Sequence, residues 1–145
     1  MIKYIPVKYS YKVNWLDDQG VLVGWDDEQQ CCEDFGCGVY DKESGKRVSD
    51  DPNGLPYHFA KTYEANTYET NSKNNIERAY CGDIEAELFQ VEMFPDDGNS
   101  PVLVFECFNH HNGYYYHDFE MKVDFKESKE DVMMIEYGKV FPEVR

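Results

Sequence analysis

Ile5-Pro6-Val7-Lys8-Tyr9-Ser10-Tyr11-Lys12-Val13-Asn14-Trp15 alternates apolar residues with polar or small ones. Successive side chains of an extended chain point to opposite faces, so a period of two predicts a strand with one buried and one wet face. Pro6 cannot donate a ladder hydrogen bond, which places it on an edge strand or at a bulge. The next residues, Asp17-Asp18-Gln19-Gly20, have turn chemistry, and Val21–Trp25 reads as the returning strand of a hairpin.

Two further stretches carry strand signals. Val102–Phe108 is apolar except for Glu106, as a central strand covered on both faces would be. Tyr115, His117, Phe119, Met121, Val123 and Phe125 alternate with polar residues and predict a second half-buried strand, joined to the first through a loop at Asn109–Gly113. Glu85–Phe94 fits two periods: Ile84, Leu88 and Val91 suit a helix, while Phe89, Val91 and Met93 suit a strand. Pro95–Asn99 is a turn in either case, and Ser128–Tyr137 carries the same ambiguity.

Between these lies a change of character. Asp26–Cys37 predicts a short helix, with Asp26 or Asp27 as its cap, acids in the first turn and Gly36 as a left-handed end. Asp41–Pro56 reads as loop and Tyr57–Tyr80 as irregular, which makes a long excursion at about 41–80. The expectation is one α+β domain over 1–145: an antiparallel sheet of about five or six strands with one or two short helices on it.

Charge bounds the function classes. The 145 residues carry a net charge of −15, and the excess is concentrated: residues 17–56 contribute −8 and residues 81–99 contribute −6, while residues 1–16 are +3. Such a chain repels nucleic acid and anionic membrane, whose binding requires Lys and Arg. It attracts basic partners, chiefly through encounter rate. The N-terminus lacks an apolar signal core, no apolar run is long enough for a membrane span, and the five cysteines are odd in number. These features suit reduced thiols in a cytoplasm.

Candidate chemistry is sparse. Asp26, Asp27, Glu28, Glu33 and Asp34 would gather five carboxylates on two helical turns without an internal cation. Like charges so spaced repel by a few tenths of a kcal/mol per pair. They therefore form a candidate interaction face, set against the plainer reading of a solvated helix start. Cys32, Cys37, Cys107 and His110 are an alternative zinc set, but the spacing is loose and surrounding carboxylates disfavour thiolates. Cysteines that pack as small core residues are the competing reading. A Cys32–His117 nucleophile pair has nothing in the sequence to bring it together. No phosphate-binding, dinucleotide, serine-hydrolase or zinc-protease motif is present, so no cofactor is implied.

Gln29-Gln30-Cys31-Cys32-Glu33 after an acidic run, then Cys81-Gly82-Asp83, then Asn112-Gly113-Tyr114-Tyr115 leading into Val123-Asp124-Phe125, together resemble an uncharacterised family of small bacterial and phage proteins with an acidic-Gln-Cys-Cys-Glu motif. The resemblance implies a prokaryotic or phage source and carries no activity. The expected function is a non-enzymatic acidic domain of inhibitor, immunity or anti-defence type that engages a basic protein surface. The alternatives are a small metal-binding or thiol-dependent enzyme and a homo-oligomer built through the aromatic strand.

Overall fold

The computed structural model describes residues 1–6, 12–26, 33–69, 85–111 and 119–126. In chain order the strands are β1 (Lys3–Tyr4), β2 (Lys12–Leu16), β3 (Leu22–Asp26), β4 (Glu33–Asp41), β5 (Arg47–Ser49), β6 (Tyr57–Phe59), β7 (Glu64–Glu69), β8 (Glu85–Pro95), β9 (Leu103–His111) and β10 (Phe119–Lys122). They form a four-stranded sheet in the order β1-β2-β3-β10 and a six-stranded sheet in the order β5-β4-β9-β8-β6, with β7 also paired to β8. Every pairing is antiparallel.

The alternation in the sequence sets which side of each sheet is apolar. In the small sheet Val13, Trp15, Val23, Trp25, Phe119 and Met121 share one face, since Val13 stands opposite Trp25, Trp15 opposite Val23 and Phe119 opposite Trp25. In the large sheet Val39, Phe89, Val91, Met93, Leu103, Phe105 and Cys107 share a face and are buried. These two faces pack on each other as a β-sandwich with a single large core. Ring contacts show the join: Trp15 meets Phe105 edge-on at 5.2 Å, Trp25 meets Phe105 at 5.0 Å, and Phe89 stacks on Phe119 at 4.1 Å. Each such side chain, once buried, contributes roughly 1.5–3 kcal/mol. A second cluster of Ile5, Leu16, Leu22 and Phe125 lies on the opposite face of the small sheet.

The expected α+β class is wrong: among the described residues there is no helix, and the fold is all-β with two antiparallel sheets of four and six strands. The helix expected over Asp26–Cys37 fails where it is described, because Glu33–Asp41 is β4. Gly36 looked like a helix terminator, yet it is a strand glycine. A Cβ there would lie 2.7 Å from the ring of Phe108 on neighbouring β9. Glycine here serves close approach between strands rather than a left-handed turn.

Other expectations were sharpened. Glu85–Phe94 resolves to strand, as β8. Val102–Phe108 is central in strand order, with β4 on one side and β8 on the other, but it is not covered on both faces: Leu103, Phe105 and Cys107 are buried, whereas Val104, Glu106 and Phe108 are only half-buried. His110 and His111, expected in a loop, extend β9 instead. Of the opening run, residues 7–11 lie outside the described residues and 12–15 belong to β2, onto whose Leu16 and Trp15 the residues Lys3 and Tyr4 of β1 pair. The excursion at 41–80 supplies the short strands β5, β6 and β7. Residues 7–11, 27–32, 70–84, 112–118 and 127–145 lie outside the described residues, and with them His117, Cys81, the last part of the excursion and the Ser128–Tyr137 segment.

One buried carboxylate ties the sheets together. Asp17, 4% exposed, directly follows β2 and accepts hydrogen bonds at Oδ1 from the backbone N–H groups of Gln19 and Val21, both at 2.9 Å. Its Oδ2 accepts from the N–H of Phe59 in β6 at 2.8 Å. The turn of a small-sheet hairpin is thereby bonded to an edge strand of the large sheet.

Candidate functional site

Where the two sheets part at the β1 and β5 edges, they leave a cleft of about 650 Å³. Its floor and walls come from alternate positions on four strands. Tyr4 of β1, Val13 and Trp15 of β2, Trp25 of β3, and Phe35 and Cys37 of β4 all line it. Strand register puts them together: the Tyr4–Trp15 and Val13–Trp25 pairs bring β1, β2 and β3 side by side. The rings are in mutual contact, with Tyr4 5.7 Å from Trp15, Trp15 5.0 Å from Trp25, and Trp25 6.3 Å from Phe35. The indoles are almost wholly buried, whereas Tyr4 is 42% exposed and forms the open wall. Trp15 Nε1 is buried and has no hydrogen-bond partner among the described residues.

A polar rim faces these rings, built by Arg47 of β5 and the segment after that strand. The Arg47 guanidinium donates from Nη2 to the carbonyl of Cys37 and to Asp50 Oδ1, both at 3.0 Å, and lies 5.9 Å from the centre of the Tyr40 ring. The bond to Asp50 raises the pKa of Arg47 above its ordinary value. Asp51 Oδ1 accepts from the N–H of Asn53 at 2.8 Å, and Asn53 Oδ1 accepts from the N–H of Tyr4 at 2.9 Å. Backbone bonds from Ile2 to Leu55 and from Gly54 to Ile2 hold the N-terminal strand against this segment. The rim therefore presents two carboxylates and one guanidinium already engaged by one of them.

The acidic block predicted as an interaction face adjoins this cleft along the chain. Asp26 directly follows the cleft residue Trp25, and Asp34 directly precedes the cleft residue Phe35. Asp26 is the last residue of β3, opposite Lys12 of β2. Glu33 and Asp34 open β4, while Asp27 and Glu28 lie outside the described residues. Register also brings the two acidic stretches of the sequence together at one end of the large sheet. Glu33 and Glu85 both pair with His111, and Glu69 pairs with Glu85. Elsewhere the acids serve separate local structures: Asp41 and Asp97 cap turns, Glu92 pairs with Lys42 at 2.5 Å, and Asp18 and Asp96 pair with the N-terminal ammonium.

Of the alternative zinc set, three members are described: Cys37, Cys107 and His110. Cys37 and Cys107 are direct cross-strand partners on the inner face of the large sheet. His110 stands opposite Asp34 in register, three residues along β9 from Cys107. Cys32 lies outside the described residues. Among the described residues no group of three or more His, Cys, Asp or Glu side chains is placed to hold a metal ion. No helix there is long and apolar enough to cross a membrane. His58 sits in β6 with Nδ1 3.0 Å from Asp96 Oδ1.

The cleft aromatics and Asp50 and Asp51 were missed by sequence reasoning. A usable signal existed for the indoles: pairing the hairpin about Asp17–Gly20 sets Trp15 and Trp25 on one face as diagonal neighbours. Nothing local marks Asp50 or Asp51, which meet the rings only through folding. No family model, curated protein or solved structure matches this chain.

Proposed function

We propose that the protein is a non-enzymatic binding module whose cleft receives a cationic side chain, Lys or Arg, of a basic protein partner. The observation that carries this reading is the pairing of ring walls with a carboxylate rim in one cleft on a chain of charge −15. Aromatic faces attract cations through their quadrupole, and partial desolvation strengthens that attraction. Asp50 and Asp51 add charge complementarity at the mouth. The remaining net charge accelerates encounter with a basic surface and disfavours acidic ones.

The test is a titration followed by tryptophan fluorescence, using short peptides that carry Arg or Lys and matched peptides in which citrulline or norleucine replaces them. Cationic peptides should give a saturable change, and their affinity should fall about tenfold or more between about 0.05 and 0.3 M salt. Asp50→Asn with Asp51→Asn should weaken binding without altering the fold. Equal binding of the neutral peptides, or affinity indifferent to salt, defeats the reading.

A further inference from the structure

Cys37 and Cys107 stand directly opposite each other on adjacent antiparallel strands, both as thiols. Directly opposed residues in an antiparallel pair have Cα atoms about 4.5–5.5 Å apart, within the range a disulfide spans. Both side chains lie on the inner face, but their surroundings differ. Cys107 is fully buried, between Cys37 and Phe89 in register. Cys37 is half-buried, lines the cleft, and its thiol lies 3.6 Å from the Asp50 carbonyl as a donor.

We infer that Cys37 and Cys107 form a thiol–disulfide site, opened to small-molecule disulfides such as oxidised glutathione through the cleft. The Cys37 thiolate attacks one sulfur of the small disulfide. The S–S bond breaks, and one thiolate leaves to take up the proton released from Cys37. Cys107 then attacks the Cys37 sulfur of the mixed disulfide and expels the second small thiolate, which takes the proton from Cys107. Two protein thiols are oxidised to one disulfide as one small disulfide is reduced to two thiols.

The local backbone suits a bond that opens again. Opposed Cβ atoms in a sheet sit about 4.5–5.5 Å apart, whereas a disulfide prefers about 3.8 Å, so β4 and β9 must draw together. Cys37 is flanked by Gly36 and Gly38, whose backbones bend more readily than those of other residues. A cross-link held under such strain is reduced more easily than a relaxed structural disulfide. Cys37, the accessible member, is the entry point and Cys107 the resolving one. The inference goes beyond the binding role proposed above and does not depend on what occupies the cleft.

The experiment incubates the folded wild-type chain with excess oxidised glutathione, followed by intact-mass measurement and non-reducing peptide mapping. The expected product has lost two hydrogens, contains a β4 peptide joined to a β9 peptide through Cys37 and Cys107, and returns to dithiol with dithiothreitol. Cys107→Ala should stop at a glutathione adduct on Cys37, and Cys37→Ser should leave Cys107 unmodified. In the wild type, alkylation of Cys37 by iodoacetamide should be lost after oxidation and restored after reduction, a readout that needs no variant. A glutathione adduct that persists on Cys37 beside an intact Cys107 overturns the inference. So does a Cys37 link to Cys31, Cys32 or Cys81, or a Cys37–Cys107 bond that forms only in denaturant.

Discussion

Two hairpins of this sandwich begin their turns with the same chemistry and put it to different use. The β2–β3 hairpin turns through Asp17-Asp18-Gln19-Gly20, and the β8–β9 connection turns through Asp96-Asp97-Gly98-Asn99. In both, an aspartate accepts hydrogen bonds from backbone N–H groups just ahead of it, and a glycine adopts positive φ. At Asp97 the bonds are local: Oδ1 accepts from the N–H groups of Asn99 and Ser100, and the Ser100 hydroxyl donates to Oδ2 at 2.6 Å. At Asp17 the second oxygen reaches Phe59 in the other sheet. The glycines differ likewise. Gly98 has nothing within 4 Å of where a Cβ would stand, whereas Gly20 lies against the backbone of Asp124 and Phe125. The same turn signature is a local cap in one hairpin and a tertiary joint in the other.

That contrast can be broken most severely at the joint. Asp17→Ala leaves three N–H groups without their acceptor and should lower stability by about 4 kcal/mol, read from urea denaturation. A loss below about 1 kcal/mol would show that the bridge to Phe59 is no tertiary joint. Gly24→Ala tests the strand behind the same turn. The added methyl would stand 2.6 Å from the Val13 carbonyl and against the buried Asn14 amide, so β2 and β3 must separate. Overpacking of this kind should cost about 3 kcal/mol, seen as a lower thermal midpoint.

The exposed turn should answer more mildly. Gly98→Ala meets only the intrinsic penalty of positive φ, about 1 kcal/mol, with the rest of the fold unchanged. The smallest effect is a pH dependence at Asp97. Its pKa is lowered by the Ser100 hydroxyl first, and then by the N–H groups of Ser100 and Asn99. A carboxyl with a lowered folded-state pKa contributes stability above its ordinary pKa and loses it as pH falls through the folded value. Asp97→Asn should therefore be less stable than wild type near neutral pH, and the gap should close in acid below the ordinary aspartate range of about 3.9. Urea midpoints for the two chains at about pH 7 and about pH 2.5 measure this, and a gap that widens in acid contradicts it.

The same pair of hairpins shows how far the sequence could be read. The Asp17–Gly20 turn, its flanking strands and the central position of Val102–Phe108 were legible, because each rests on local turn chemistry or on a hydrophobic period. The length of β4 was not. Gly36 next to an acidic run imitates a helix end, and its true reason, the ring of Phe108 against its backbone, sits 72 residues away in sequence. The bridge from Asp17 to Phe59 was hidden for the same cause, since an aspartate at a turn looks alike whether it faces water or a second sheet. The cleft was legible only in its tryptophans. Its rim depends on how the segment after β5 folds against β1, which hydrogen bonds between Asn53 and Tyr4 and between Gly54 and Ile2 decide.

The two indoles, 5.0 Å apart at centroids and tilted by 41°, have an optical consequence. Transition dipoles so close and so inclined couple, and the pair should absorb circularly polarised light as one chiral chromophore with paired bands of opposite sign. That couplet reports the join between β2 and β3 within the sandwich. It should vanish from Trp15→Phe and Trp25→Phe alike, and it should fade in a compact acid state that keeps its strands while losing fixed side-chain packing.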